Sequence, residues 1–235
     1  MELSMLDQGT YQRYMADLCK MAKIPPRYSR VMVEGKRRPN GDWAAFLEDR
    51  RNLYIVGGVG AGKTDLACRI AVGYQMRHAT AYGDYFEGGD GILIKNRSVR
   101  FTTATNLLSE VKDTYQDGAL ESERDVMTKY GTCDLLVLDD FGGKEGNVTG
   151  WVISSYWQIL NYRYENEKPI IITTQYTPDE LMAMYSQKEE RERDVEATIS
   201  RLIGEAEPIR LSGGDRRLGG PSGPQGALDL EGYMP

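Results

Sequence analysis

Histidine and cysteine are scarce in this chain of 235 residues, which contains one histidine and three cysteines. The single histidine, His78, argues against a metal centre built from several imidazoles, and nothing beside it indicates Ser–His catalysis. Cys19, Cys68 and Cys133 lie far apart and lack the spacing of a zinc site or a redox motif. The composition therefore predicts reduced thiols and disfavours disulfide and multi-histidine metal chemistry.

Long apolar runs are also absent. No stretch of the sequence is long enough to cross a bilayer, and the N-terminal Met-Glu-Leu-Ser-Met lacks the basic and apolar regions of a secretory leader. We therefore expect a cytoplasmic protein without membrane contact. The net charge is −6, so any contact with nucleic acid must come from a local basic patch rather than from the overall field. A hydrophobic content of 40% is sufficient for the core of one large α/β domain.

A glycine-rich loop at residues 57–64 is the strongest signal in the chain. It reads Gly-Gly-Val-Gly-Ala-Gly-Lys-Thr and fits the phosphate-loop pattern G-x-x-x-x-G-K-[S/T]. A strand-like run, 52–56, precedes it and a helical pattern, 65–72, follows it, which is the context that confirms the motif. A chance glycine-rich turn would lack these flanks. The sequence therefore predicts a nucleotide phosphate site.

Each part of this loop has a chemical reason. Glycines allow several backbone N–H groups to converge on one anion, and the helix N-terminus adds a partial positive charge. Lys63 is expected to reach the β- and γ-phosphates, and the Thr64 hydroxyl is expected to bind Mg²⁺. The predicted ATP-binding residues are Gly57, Gly58, Val59, Gly60, Ala61, Gly62, Lys63, Thr64 and Asp65.

An acidic pair follows the apolar run at residues 135–138. Carboxylates at the C-terminal end of a parallel strand lie where such sheets bind ligands. Asp139 fits a residue that helps to hold Mg²⁺, and Asp140 fits a general base for the attacking water. The alternative, two turn carboxylates without function, is disfavoured because the pair lies downstream of a phosphate loop. Residues 173–175 follow the next strand, where a side chain that orients the water is expected.

Strands and helices alternate along the chain, which predicts an α/β fold with three layers and a mostly parallel sheet. An apolar stripe predicts a helix in residues 1–23, either packed on its own domain or binding a partner. A charged loop is expected from Arg27 to Arg38, and Gly-Gly-Asp-Gly predicts a hairpin at 82–94. Residues 218–235 are rich in glycine and proline and are expected to be a disordered tail. The other predicted elements are strands at 52–56, 99–103, 135–138 and 169–174 and helices at 43–47, 65–72, 105–112 and 150–166 and from 178 onward.

Together these features resemble the AAA+ ATPases of the bacterial helicase-loader group, which comprises the DnaC and DnaI loaders and the related IstB-type transposition ATPases. The resemblance covers roughly residues 24–217 and implies a P-loop core without a full helical lid after residue 211. It rests on the segments 24–28, 57–67, 99–104, 136–142, 161–165, 169–175 and 200–202.

The resemblance implies roles that spacing alone does not give. Gln175 falls at the sensor 1 position, where relatives usually carry Asn, and Asp140 stands where many AAA+ proteins have Glu, so slow hydrolysis is expected. Arg201 looks like an arginine finger that reaches the γ-phosphate of a neighbouring subunit, which implies a homo-oligomer. Arg217, or alternatively Arg216, resembles a sensor 2 arginine, with a plain surface charge as the competing interpretation.

Two functions remain open at this stage. The first is an ATP- and Mg²⁺-dependent loader, in a short phage-type form, that delivers a replicative DNA helicase onto single-stranded DNA. The second is an IstB-like regulator that engages a transposase on duplex DNA. A stand-alone kinase or GTPase is disfavoured because the chain lacks Asn-Lys-x-Asp. Basic clusters at 36–38 and 95–100 are candidate DNA contacts, although such clusters more often only solubilise a protein.

Overall fold

The computed structural model describes residues 7–48, 52–82, 92–95, 97–143, 150–186, 197, 200–201 and 206–212. The helices in this part of the chain are α1 (Gln8–Met21), α2 (Pro26–Val33), α3 (Gly41–Glu48), α4 (Lys63–His78), α5 (Ala104–Asp113), α6 (Glu123–Thr132), α7 (Gly150–Glu165) and α8 (Pro178–Ser186). The strands are β1 (Asn52–Gly57), β2 (Thr80–Tyr82), β3 (Ile92–Lys95), β4 (Val99–Thr103), β5 (Leu135–Phe141), β6 (Ile170–Thr174) and β7 (Ala206–Leu211).

Five of the strands form one parallel sheet in the order β4-β5-β6-β1-β7. Successive strand residues point to opposite faces, so Val137 and Ile171 join the core that contains α1, α3 and α4. Leu138 and Ile172 join the second core, with α5, α6 and α7. Helices therefore cover both faces of the sheet, and the predicted three-layer α/β fold is confirmed.

The apolar stripe of α1 packs on its own domain. Asp7 caps the helix by accepting hydrogen bonds from the backbone N–H groups of Gly9 and Thr10. Met15 and Leu18 are fully buried in the first core. The helix predicted within residues 1–23 is therefore present, and its apolar side is occupied by intramolecular packing.

The charged loop expected from Arg27 to Arg38 is wrong over residues 26–33, which form α2. Pro26 occupies the first turn, where a fixed φ and a missing N–H are tolerated. Met32 is buried, and the Tyr11 hydroxyl donates a hydrogen bond to its carbonyl oxygen at 3.1 Å. A helix of only eight residues carries too few apolar positions to be recognised amid the surrounding charge.

The antiparallel pairing of β2 and β3 confirms a hairpin, although its first strand, Thr80–Tyr82, lies almost wholly before the predicted 82–94. Its connecting residues, 83–91, lie outside the described part of the chain. Besides α2, two of the described elements, α6 and β7, are not predicted from the sequence. A capping box between Ser122 and Asp125 starts α6. Pro208 lies within β7, which pairs with β1 at the edge of the sheet, where a proline is tolerated.

Arg163 on α7 is a buried residue that connects three segments by hydrogen bonds on the side of the sheet covered by α5, α6 and α7. Its guanidinium donates hydrogen bonds to the backbone carbonyl oxygens of Tyr130 and Cys133, both at 2.9 Å, and of Pro169. Burial lowers the pKa of this guanidinium. Because these carbonyls belong to the end of α6 and the loop before β6, one side chain joins three segments. Within the described ranges, no helix is both long and apolar enough to cross a membrane.

Replacing Arg163 by methionine should lower the free energy of unfolding by about 3 kcal/mol or more, because several buried carbonyls lose their donor. Urea denaturation followed by circular dichroism measures the change. The matched control is Arg124→Met on the exposed side of α6, which should leave the midpoint within experimental error. Equal midpoints for the two variants would contradict the cross-linking role.

Candidate nucleotide-binding site

The glycine loop connects β1 to α4 at the C-terminal edge of the sheet. Gly60 and Gly62 have φ angles of 75° and 99°, in the left-handed region that favours glycine. A Cβ on Gly57 would lie 2.6 Å from the carbonyl oxygen of Leu211, so β7 approaches too closely for any side chain there. This backbone directs the N-terminus of α4, and with it the positive end of the helix dipole, toward the loop.

The ammonium group of Lys63 lies inside the curve of the loop. Its Nζ atom donates hydrogen bonds to the carbonyl oxygens of Gly57 at 2.7 Å and Gly58 at 2.9 Å. The residue is only 9% exposed. A cation held this way stands where the loop would bind phosphate oxygens, as the motif predicts.

Asp139 accepts hydrogen bonds from two threonines on different elements. The Thr64 hydroxyl, in the first turn of α4, donates to its Oδ1 atom at 2.8 Å. The Thr173 hydroxyl, on β6, donates to the same oxygen at 2.6 Å. Burial raises the pKa of Asp139, while the two hydroxyls and Lys63 oppose that shift. A carboxylate beside a hydroxyl supplies the oxygen ligands that Mg²⁺ prefers, so Thr64 and Asp139 fit the predicted metal site.

A cavity of about 520 Å³ opens above these residues, within the usual size range of small-molecule sites. The glycine loop, the acidic pair and the end of β6 are far apart in the sequence, and all three line this cavity. The predicted site residues that line it are Val59, Gly60, Gly62, Lys63, Thr64, Asp65, Asp139, Asp140 and Gln175. The side chain of Gln175 is exposed at the end of β6, which leaves its amide accessible from the cavity.

Part of the cavity wall was missed by sequence reasoning. Arg27, Tyr28 and Val31 of α2 line it, together with Arg37 from the following turn. Arg37 forms an ion pair with Asp65 at 3.5 Å, which ties this segment to the first turn of α4. The density of charge predicts a loop for this segment, whereas the spacing of Tyr28 and Val31 on one helix face is the signal that identifies the helix. An aromatic and an aliphatic side chain there offer an apolar surface for a base.

Arg201 lies away from the cavity. One of its terminal nitrogens donates to the amide oxygen of Asn161, and its guanidinium carbon lies 5.6 Å from the centre of the Tyr164 ring. Both partners are near the end of α7, which leads into the start of β6, while the cavity lies at the end of β6. A strand of five residues separates the two edges by about 17 Å. Arg216 and Arg217 lie outside the described residues.

The three cysteines are buried and unpaired with one another, as the composition predicts. Burial raises the pKa of the Cys19 thiol to about 12, which keeps it protonated at neutral pH. Within the described part of the chain, no group of three or more His, Cys, Asp and Glu side chains could hold a metal ion. The Thr64 hydroxyl and the Asp139 carboxylate, beside the phosphate loop, are the candidate metal ligands because they lie in contact at the cavity.

Similarity to known proteins agrees with this geometry. Residues 88–220 match the family model described as IstB-like ATP binding protein, which is more than half of the chain and includes the acidic pair. The chain is 28% identical over 171 residues to the replicative helicase loader DnaI of Bacillus subtilis (strain 168), covering 71% of this chain and 48% of that protein. It is 26% identical over 203 residues to the putative insertion sequence ATP-binding protein y4uH of Sinorhizobium fredii (strain NBRC 101917 / NGR234), covering 85% of this chain and 68% of that protein.

A solved structure supports the fold. The crystal structure of the DnaC helicase loader superimposes with a TM-score of 0.53 at 20% identity, covering 80% of this chain and 100% of that chain. This chain spans about half the length of DnaI, with 48% of that protein matched. The expected resemblance to AAA+ ATPases of the loader and IstB group is confirmed. This chain belongs to the family of IstB-like ATP binding proteins.

Proposed function

We propose that this protein is an AAA+ ATPase that binds ATP with Mg²⁺ in the cavity at residues 57–64 and loads a replicative DNA helicase onto single-stranded DNA. The observation that carries the ATPase is the hydrogen bond from Thr64 to Asp139 beside Lys63, which joins the phosphate loop to the acidic pair. The helicase cargo is supported by similarity to DnaI, a replicative helicase loader.

Thr64 and Asp139 would hold the metal, and Mg²⁺ bound there would neutralise charge on the phosphates. Lys63 binds phosphate oxygens in exchange for its bonds to the loop carbonyls. Asp140 takes a proton from the attacking water, and the amide of Gln175 orients that water at the open end of β6. These roles use side chains that already face one cavity, which supports the assignment.

Arg201 acts on a neighbouring copy of the chain. Its position supports this role, because its partners on α7 lie beside the start of β6 whereas the cavity of the same subunit lies at the end of that strand. The γ-phosphate then lies between two subunits, so hydrolysis depends on assembly into a homo-oligomer. A sensor 2 role is proposed for Arg217, with Arg216 as the alternative.

A second function, regulation of transposition through a transposase and duplex DNA, is favoured by one observation. The chain matches the IstB-like family model, and it is similar to y4uH, a putative insertion sequence ATP-binding protein. The two functions share every catalytic residue and differ in partner. Pull-down by the tagged protein with ATP present separates them: capture of replicative helicase and preference for single-stranded DNA support loading, and capture of transposase supports the second function.

Replacing Lys63 by alanine should weaken ATP binding by about 10- to 100-fold, because a buried charge-assisted contact to phosphate is lost. Titration with a fluorescent ATP analogue measures the dissociation constant. Lys129→Ala removes a lysine that pairs with Glu110 on another part of the surface and serves as the control. An unchanged constant for Lys63→Ala would overturn the phosphate-loop assignment.

Replacing Tyr28 by alanine should weaken ATP binding by about 5- to 50-fold through lost stacking, and leave binding of inorganic tripolyphosphate unchanged. Competition against the same fluorescent analogue measures both ligands. Tyr28→Phe keeps the ring and should retain the affinity for ATP. Equal losses for ATP and tripolyphosphate would place Tyr28 on the phosphate side of the cavity and contradict a base contact.

Replacing Arg201 by alanine should keep the affinity for ATP within about twofold and lower assembly-dependent hydrolysis by on the order of 10³-fold. Mixing it with Asp139→Asn should restore part of the activity, because one variant supplies an intact cavity and the other an intact arginine. The control variant, Arg210→Ala on the exposed side of β7, should hydrolyse ATP normally without mixing. Absence of recovery at every mixing ratio would count against a site shared between subunits.

A further inference from the structure

The pairing between β5 and β6 is irregular at the acidic pair. Leu138 lies opposite Ile172, and Phe141 lies opposite Thr174. Between these pairs, two residues of β5, Asp139 and Asp140, stand against a single residue of β6, Thr173. Two residues facing one across a strand pair is the arrangement of a β-bulge, which re-aims side chains and is common beside active sites.

The bulge changes where the two carboxylates point. In a regular strand, neighbouring side chains alternate between the two faces, so Asp139 and Asp140 would point away from each other. Both instead line the same cavity. The backbone of Asp140 has a φ angle of 56°, in the left-handed region, which is strained for a residue other than glycine.

The space beside Asp140 is also shaped for this arrangement. A Cβ on Gly143 would lie 2.8 Å from the Oδ1 atom of Asp140, so the carboxylate rests against a glycine that has no side chain. The backbone N–H of Gly143 donates to the carbonyl oxygen of Asp140 at 3.2 Å and closes a turn. The position of the second carboxylate is therefore set by backbone conformation and by the absence of a neighbouring side chain.

One hydroxyl connects both members of the pair. Thr173 is 1% exposed, and its Oγ1 atom accepts a hydrogen bond from the backbone N–H of Asp140 at 3.1 Å. The same hydroxyl donates to Oδ1 of Asp139 at 2.6 Å. On the far side of the bulge, the Thr174 hydroxyl donates to the carbonyl oxygen of Phe141 at 2.7 Å. Thr173 thus replaces the ladder bond that the bulge removes.

We propose that Thr173 is a positioning residue that holds this bulge and thereby directs the carboxylates of Asp139 and Asp140 into the nucleotide cavity. The inference rests on the proposed function, which assigns metal binding and proton transfer to that pair. Thr173 acts through the two aspartates: its side chain fixes the Oδ1 atom of one and the backbone of the other. This role requires a hydroxyl group at position 173, and it does not require a side chain of a particular size.

The test compares Thr173→Val, which keeps the shape and removes the hydroxyl, with Thr173→Ser, which keeps the hydroxyl. For the valine variant we expect kcat for ATP hydrolysis to fall about tenfold or more, with a higher Mg²⁺ concentration for half-maximal rate and KM for ATP within about twofold. Thr173→Ser should retain kcat within about threefold. Thr102→Val, which alters a buried threonine of β4 whose hydroxyl lies 3.3 Å from the Thr103 carbonyl oxygen, is the matched control and should change neither quantity.

A double-mutant cycle with Asp140→Asn at saturating Mg²⁺ distinguishes positioning from an independent role. If Thr173 acts by holding Asp140, adding Thr173→Val to Asp140→Asn should lower kcat by no more than about twofold further. Multiplicative losses, or a valine variant as active as wild type while Asp140→Asn is impaired, would overturn the inference. Normal activity of Asp140→Asn would instead overturn the proposed base. If the valine variant does not fold by circular dichroism, Thr173→Ala is judged by the same outcomes.

Discussion

The site depends on one buried carboxylate that is held from two sides. Asp139 lies at the end of a central strand, and hydroxyls from α4 and from β6 donate to the same oxygen. Burial alone favours the protonated acid, whereas the two donors and Lys63 favour the carboxylate. The contact from Thr64 also fixes the distance between the phosphate loop and the sheet edge. The loop, the candidate metal ligands and the acidic pair are therefore one hydrogen-bonded unit rather than three neighbouring motifs.

Much of this unit is predictable from the sequence, because its parts are local patterns. The glycines and the Lys-Thr pair of residues 57–64 are sufficient to predict the phosphate loop. The four apolar residues at 135–138 are sufficient to predict the strand that carries Asp139. The role of Thr173 is different in kind, since a bulge is a property of two paired strands and neither strand shows it alone. The wall formed by Tyr28 and Arg37 was missed for a related reason: it depends on how a short helix far upstream packs against α4.

Helix α1 and Arg163 show how much of the chain serves to hold the sheet. The apolar face of α1 fits a partner-binding helix and a packed helix equally well as a pattern, and only tertiary structure separates them. A partner that uses this helix must contact its exposed side, which carries Arg13, Ala16 and Lys20. Arg163 reads as one more charge in a charged segment, yet it is fully buried against backbone carbonyls. The edge strand β7 contains Glu207, Pro208 and Arg210. Because charged residues and proline are not typical of a strand, the sequence does not predict this element.

The placement of the cavity and of Arg201 at opposite ends of β6 has a consequence for the geometry of the proposed homo-oligomer. A contact that joins the arginine edge of one copy to the cavity edge of the next uses two different surfaces, so it is head-to-tail and has a direction. Such a contact repeats until a ring closes or continues as a helical filament. An open row of n copies contains n − 1 completed sites, with one bare cavity at one end and one unused arginine at the other. The two ends are chemically distinct, so a partner could recognise one end of the assembly and ignore the other.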